Sequence, residues 1–308
     1  MAQLIFQNVL PLYGLILLGF VIAKTTALDV QSIATIMLYA IIPVVMFGAT
    51  GTMDFSSAFL LPPMIVATIS IIASSMAYYF ASRYWGSSGK KHNLLGLLGV
   101  SSNATYFGIP IVISIAGQES VSLYMIMVLP LFILDCTLSY YFGVRSEFTF
   151  KDSIKRVAKL PIIYGAIGGL VFNLGGFEFS TLMLDYWDRF TGTVIILGMM
   201  MIGAALARME KMRFDWPFFI GVVVLRYILW PVLGLCWVAV DYYFFGMLDD
   251  QVYVFILLIC ACPLAANAVA YATQLNLYPS LTACMVLLTT LFSLAFIPLM
   301  LWVQSVIF

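Results

Sequence analysis

The sequence has 308 residues, of which 63% are apolar and only 9% are charged. A soluble protein of this length has about a quarter of its residues charged, so the composition excludes a soluble globule and predicts an integral membrane protein. Lys plus Arg and Asp plus Glu number 14 each, and this balance gives no reason to expect a nucleic-acid partner.

The apolar residues fall into ten long blocks, which predict an all-α membrane protein with ten transmembrane helices. A helix needs about 20 mostly apolar residues to cross the hydrocarbon core of a bilayer. The longest predicted connection, 144–159, leaves no room for a soluble domain. The predicted segments 1 to 10 are Leu4–Ala23, Gln31–Thr50, Ala58–Tyr84, Leu94–Ala116, Val121–Gly143, Leu160–Gly175, Phe190–Ala207, Trp216–Tyr243, Val252–Thr273 and Leu281–Val303.

The basic residues lie almost entirely in the loops on one side of the ten predicted segments. The loops after segments 1, 3, 5 and 7 carry twelve of the 14 Lys and Arg residues. The opposite side carries only Arg189, and Arg226 lies inside segment 8. Because loops rich in Lys and Arg face the cytoplasm, we expect both termini to lie outside, on the periplasmic side of a bacterial membrane.

The cysteines and the histidine give no support for a metal or cofactor site. No CxxC pair occurs, and the only histidine, His92, lies in a predicted cytoplasmic loop. Cysteines inside apolar segments usually act as small packing residues, so we expect no metal and no cofactor. The five cysteines all lie in predicted segments: Cys136, Cys236, Cys260, Cys262 and Cys284.

The two halves of the chain, 1–150 and 151–308, resemble each other in the order of their features. Pro11 and Gly19 of segment 1 match Pro161 and Gly169 of segment 6 at an offset of 150 residues. With five segments in each half, the second half starts on the opposite side of the membrane, which predicts an inverted repeat. Further matches are Gly48-Ala49 with Gly203-Ala204, and Asn103-Ala104 before Pro110 with Asn267-Ala268 after Pro263.

Segments 4 and 9 are predicted to be broken near the middle of the membrane. Pro110 and Pro263 each lack an amide proton, so Pro263 deprives the carbonyl of Ile259 of its helical partner, and Gly108 allows a bend beside Pro110. Broken backbone at this depth is tolerated only where protein or a wet cavity satisfies it. The N-termini of half-helices suit a carboxylate or phosphate. The alternative is an ordinary proline kink with Ser, Thr and Asn joining neighbouring helices.

The pattern Asn103-x4-Gly108-Ile109-Pro110 resembles the fourth-helix signature of the auxin efflux carrier family. Cys262-Pro263 followed by Asn276-Leu277-Tyr278-Pro279 is similar to that family's ninth helix and exit loop, and Tyr39-Ala40-Ile41-Ile42-Pro43 fits its second helix. The resemblance covers essentially the whole chain. The long central loop of the plant carriers is absent, so the chain looks like the compact prokaryotic members that are described as malonate or malate permeases, within the bile/arsenite/riboflavin transporter superfamily.

This resemblance implies a secondary transporter rather than an enzyme, moving a small organic anion across the bacterial inner membrane by elevator-like alternating access. Segments 1, 2, 6 and 7 would form a scaffold and segments 3–5 and 8–10 a transport domain, with a homodimer formed through the scaffold. The anion would bind where segments 4 and 9 cross. The candidate substrate-binding residues are Ser102, Asn103, Thr105, Gly108, Pro110, Pro263 and Asn267.

Two ionisable residues, Asp135 and Arg226, lie deep within segments 5 and 8. Each costs about 2.5–3.5 kcal/mol to insert into a membrane unless it is paired. A rise of about 1.5 Å per residue places the two at depths that differ by about 7 Å, within the reach of an arginine. We therefore expect a pair, which is either a structural ion pair or a site that couples transport to a proton or sodium ion.

Other classes of function remain as alternatives. An intramembrane enzyme needs a catalytic pair, which neither Asp135 nor a histidine provides. A channel or passive sensor would lack saturable, counterflow-capable flux. A cation/proton antiporter or a sodium-coupled symporter of the same broken-helix fold is the main alternative, although segment 9 contains no acidic residue that would favour a sodium site.

Overall fold

The computed structural model describes residues 2–52, 60–86, 90–117, 120–207 and 215–307, and the regular secondary structure of these ranges is helical throughout. Six helices are long and apolar enough to cross a membrane, or seven if the bent pair Lys151–Ala158 and Pro161–Leu174 counts as one. The chain is therefore a multi-pass α-helical membrane protein.

Helices lie in each of the ten predicted segments, and we number them α1 to α10 accordingly. The six that meet the length and apolarity test lie in segments 2, 3, 5, 7, 8 and 10. The other helices do not meet this test over their described residues, so ten membrane crossings remain a prediction. The helices are α1 (Ala2–Thr25), α2 (Val30–Gly51), α3 (Leu61–Trp85), α4a (Lys91–Val100), α4b (104–116), α5 (121–144), α6 (Pro161–Leu174), α7 (Thr181–Ala207), α8 (Trp216–Phe245), α9a (Asp250–Ala261), α9b (Asn267–Gln274) and α10 (Pro279–Ile307).

The start of α7 differs from the prediction. The helix begins at Thr181 and not at Phe190. The hydroxyl of Ser180 accepts a hydrogen bond of 3.3 Å from the N–H of Met183, which is how a serine stabilises the free amides of a helix start. The polar first turns of α7 hid this start from a prediction based on apolarity alone.

The predicted loop 144–159 contains a short helix, Phe150–Ala158. The hydroxyl of Thr149 accepts a hydrogen bond of 3.3 Å from the N–H of Asp152, which caps its first turn. This helix meets α6 at a bend of 56°. The loop is therefore ordered, and a Thr-x-x-Asp sequence marks the start of its helix.

Several helices contain a wider π-helical turn. Three of these turns end two residues before a proline, at Pro43, Pro110 and Pro231. A proline cannot donate to the carbonyl four residues earlier and its ring collides with that turn, so one extra residue in the preceding turn relieves the clash. π-Turns are frequent at functional sites. The turns are Met37–Ile41, Ala104–Gly108, Asp135–Ser139, Leu225–Leu229 and Asp241–Phe245.

Two closely packed helix pairs mirror each other: α1 packs along α7, and α6 packs along α2. A Cβ on Gly19 of α1 would collide with the backbone of Met200 in α7. A Cβ on Gly169 of α6 would collide with the backbone of Phe47 in α2. Gly19 and Gly169 are the glycines that the sequence repeat aligns, and each allows two backbones to approach closely.

The remaining helices pack mainly among themselves. Helix α3 packs on α4a, α5 and α8, and α9a lies between α8 and α10. Helix α7 contacts α10 and α9b, α2 contacts α9b, and α1 contacts α4b. These last contacts place α1, α2 and α7 against the broken helices.

Candidate functional site

The breaks of the two interrupted helices meet each other. Residues 101–103 separate α4a from α4b, and residues 262–266 separate α9a from α9b. The N–H of Asn103 donates a 2.8 Å hydrogen bond to the carbonyl of Pro263. In return, the N–H of Ala265 donates a 3.2 Å hydrogen bond to the hydroxyl of Ser101. Each break thus satisfies backbone groups that the other leaves without a helical partner.

The break in α4 lies several residues before the predicted bend at Gly108. A Cβ on Gly108 would collide with the hydroxyl of Tyr124, and that hydroxyl donates a 2.9 Å hydrogen bond to the carbonyl of Ala104. Gly108 is therefore needed for packing against Tyr124. Pro110 lies in the first regular turn after the π-turn, and its side chain lies outside the described part of the structure.

The break in α9 is stabilised by Arg226 of α8. Its Nη2 donates a 3.2 Å hydrogen bond to the carbonyl of Ile259, the group that Pro263 was predicted to leave without its regular partner. The N–H of Cys262 also approaches this carbonyl, at 3.3 Å. The Nε of Arg226 donates to the carbonyl of Cys262. A cation at this point also offsets the partial negative charge at the C-terminus of α9a.

The surroundings of Arg226 hold it rigidly beside the crossing of the two breaks. The residue is fully buried, and its Cζ lies 4.4 Å from the ring centre of Trp230. The indole N–H of Trp230 donates a 3.0 Å hydrogen bond to the carbonyl of Gly99. Arg226 Nη2 also donates to the hydroxyl of Ser102, whereas Nη1 has no hydrogen-bond partner.

The predicted pair of Asp135 and Arg226 is not formed. No ion pair joins the two side chains, because the guanidinium is occupied by the end of α9a and by Ser102. Asp135 lies beside the amide of Asn267 and the hydroxyl of Ser139, and its Oδ1 is buried without a hydrogen-bond partner. An arginine and an aspartic acid are therefore both buried near the crossing without direct contact.

A small cavity lies beside the crossing of the two breaks. Its volume of about 30 Å³ is room for water, so an organic substrate requires the cavity to widen. Helices α5 and α7 supply an apolar wall, and polar side chains from α4, α5 and α9 face the same space. The lining residues are Ser102, Asn103, Thr105, Val128, Leu131, Phe132, Asp135, Val194, Ile195, Met199, Ala265, Ala266 and Asn267.

The structure brings four of the seven predicted substrate-binding residues to this cavity, together with Asp135. These four are Ser102, Asn103, Thr105 and Asn267. Gly108, Pro263 and Arg226 do not line it: Gly108 packs on Tyr124, and the other two support the breaks. Sequence reasoning did not identify the wall that α7 contributes to the cavity. The available signal was Gly198 of α7, a small residue at a close approach of two helices. A Cβ at this position would lie 3.2 Å from the Cβ of Ala266.

Two further results bear on identity. Among the described residues, no group of three or more His, Cys, Asp or Glu side chains could hold a metal ion. No protein-family model matches the chain, and no curated protein matches it. The resemblance to the auxin efflux carriers therefore rests on the motif residues alone.

Proposed function

We propose that this chain is a secondary transporter that carries a small mono- or dicarboxylate across the membrane by elevator-like alternating access. The observation that supports this most is the hydrogen bond between Asn103 and Pro263, which joins two broken helices beside a polar cavity. Interrupted helices inside a membrane protein typically form binding sites for substrates and ions.

The arrangement of helix ends favours an anionic group in the substrate. Helices α4b and α9b both begin beside the cavity, and Asn103, Thr105 and Asn267 line it there. The amides at a helix N-terminus carry partial positive charge and suit a carboxylate. The buried guanidinium of Arg226 adds a full positive charge behind Ser102.

The proposal includes an architecture of two inverted five-helix repeats, 1–150 and 151–308, with ten crossings. The mirrored packing of α1 on α7 and of α6 on α2 supports it. These four helices would form the scaffold, and α3–α5 and α8–α10 the moving transport domain. The family resemblance adds a homodimer, an inner-membrane location and periplasmic termini.

A cation-coupled variant of the same fold is the second candidate, either a cation/proton antiporter or a sodium-coupled symporter. The observation that favours it is Asp135, whose carboxylate lines the cavity and has one oxygen without a hydrogen bond. A buried carboxylate in a membrane protein is often part of an ion or proton pathway.

Counterflow in proteoliposomes tests the proposal. Vesicles that contain the purified protein are loaded with an unlabelled carboxylate and diluted into a trace of the same labelled compound. A carrier then accumulates label transiently, whereas a channel does not. Repeating the assay with imposed sodium or proton gradients separates the two candidates. Cation exchange without counterflow of any carboxylate would favour the second candidate and contradict the first.

A further inference from the structure

The cavity at the crossing has a buried arginine behind one lining residue and a buried aspartic acid as another. Ser102 lines it and binds Arg226, whereas Asp135 lines it from α5. Because Arg226 and Asp135 do not contact each other, the cavity has a group of positive character at Ser102 and an acidic group at Asp135, which is stable as a carboxylate when a cation joins it. An occupant with only one kind of charge matches one side and opposes the other.

The hydroxyl of Ser102 is arranged to donate into the cavity. Its oxygen accepts a hydrogen bond from Arg226 Nη2, so its own proton points elsewhere, and no side chain or carbonyl of the described residues accepts it. A hydroxyl that is polarised by a guanidinium is a strong donor to an anion. Ser102 therefore connects a carboxylate in the cavity to Arg226 through two successive hydrogen bonds, although Arg226 itself does not line the cavity.

Asp135 presents a carboxylate without a cationic partner. Only 7% of the residue is exposed, its Oδ1 accepts no hydrogen bond, and its neighbours Asn267 and Ser139 are uncharged. A second carboxylate in the cavity would offer this group no positive charge, and two neighbouring carboxylates cannot both stay ionised in a buried site. An ammonium group would instead supply the missing positive charge and hydrogen-bond donor.

We propose that the substrate is a compact zwitterion, an amino carboxylate whose carboxylate binds at Ser102 and whose ammonium group binds at Asp135. This inference rests on the proposed transport function and narrows its substrate class. The positive charge could also come from a separate sodium ion. One molecule that carries both charges loses translational and rotational freedom once on binding, whereas two separate species lose it twice.

The test compares three ligands that share the group –CH2–CH2–COO⁻: propionate, β-alanine and succinate. Their affinities are measured by calorimetry on the purified protein in sodium-free buffer and again with sodium. We expect β-alanine to bind about ten- to a hundredfold more tightly than propionate, as expected for a charge-assisted hydrogen bond. Succinate is expected to bind most weakly.

Variants of the two sides give a second, independent measurement. Asp135→Asn should abolish the preference for β-alanine over propionate and improve succinate binding. Ser102→Ala should weaken β-alanine and propionate binding by about tenfold or more, whereas Ser102→Thr keeps the hydroxyl and should recover part of that affinity. Asp185→Asn removes an equal charge from the exposed first turns of α7 and should change nothing.

Three results would overturn this inference while leaving carboxylate transport intact. They are succinate binding as tightly as β-alanine, a β-alanine preference that survives Asp135→Asn, and propionate binding that becomes tight only with sodium. Because the wild-type ligand comparison needs no variant, it decides the question even if one variant does not fold. Failure of every carboxylate in both buffers would overturn the transport proposal as well.

Discussion

The backbone N–H of Asn103 donates a 2.8 Å hydrogen bond to the carbonyl of Pro263, and this bond joins the two interrupted helices. Because the bond uses the backbone, it does not depend on the side chain of Asn103. That side chain lines the cavity, and the residue is only 4% exposed. The residue thus combines a structural role in its backbone with a binding role in its amide, and the two can be separated by mutation.

The first prediction follows from this separation. Asn103→Ala keeps the bond to Pro263 but removes the amide from the cavity. We expect substrate affinity to fall by about ten- to a hundredfold, the range for a hydrogen bond to a charged group, with a nearly unchanged melting temperature. Counterflow kinetics and thermal melting of the purified protein measure the two quantities.

Asn173→Ala is the matched control for Asn103→Ala. The side chain of Asn173 in α6 donates a 2.9 Å hydrogen bond to the carbonyl of Gly51, away from the cavity. Its loss should reduce stability by about 1 kcal/mol and leave the substrate affinity of the folded protein unchanged. Normal uptake by a folded Asn103→Ala protein would contradict the assignment of Asn103 to the binding site.

The features that sequence predicted correctly follow from local chemistry. The order of the helices follows from apolar blocks. The break in α9 follows from Pro263, which cannot donate a hydrogen bond, so the carbonyl of Ile259 was expected to need another partner. The identity of that partner, Arg226, could not be predicted from the sequence around Pro263, because it depends on how α8 packs against α9a.

The absence of a direct contact between Asp135 and Arg226 has a related reason. The depth estimate fixed how far along its helix each residue lies, but not the direction of its side chain. The guanidinium of Arg226 donates to the end of α9a and to Ser102, and Asp135 lies beside Asn267 and Ser139. Similar depths therefore do not imply that two side chains face each other.

The second prediction concerns the close contact between α1 and α7. Gly19→Ala places a methyl group against the backbone of Met200, which cannot move without shifting α7. We expect a loss of about 1–3 kcal/mol in stability, as for overpacked cores, measured by thermal melting. The inverted repeat predicts a similar loss of stability for Gly169→Ala at the contact between α6 and α2.

Gly14→Ala is the control for the α1 substitution. A Cβ on Gly14 meets nothing within 4 Å, so the alanine should be tolerated and should stabilise the helix by about 0.5–1 kcal/mol. Equal losses for Gly14→Ala and Gly19→Ala would contradict a specific contact between α1 and α7.

The third prediction is topological. Lys155 and Glu178 are both exposed and lie at opposite ends of α6. Because Lys and Arg concentrate in cytoplasmic loops, a membrane-impermeant thiol reagent should label Glu178→Cys in intact cells and Lys155→Cys only after permeabilisation. Both substitutions are made in a variant that lacks the five native cysteines, and that variant without either substitution serves as the unlabelled control. The reverse labelling pattern would invert the proposed orientation and place both termini in the cytoplasm.

The last prediction uses the separation of Asp135 from Arg226. Arg226→Gln removes charged hydrogen bonds to the carbonyls of Cys262 and Ile259, so we expect a stability loss of at least about 2 kcal/mol. Asp135→Asn replaces a buried carboxylate that has no cationic partner with a neutral side chain of the same shape. Its melting temperature should therefore stay equal or rise while substrate binding changes, as is common when a functional residue is neutralised.

The double variant decides whether the two charges interact. Since they are not paired, its stability change should equal the sum of the two single changes to within about 0.5 kcal/mol. Thermal and denaturant melts of the wild type, the two single variants and the double variant supply the four values. A directly paired acid and base would behave differently, because removing the second charge would restore much of the stability that removing the first had cost. Recovery of that kind would contradict the separate roles assigned here: Arg226 holding the end of α9a, and Asp135 facing the cavity.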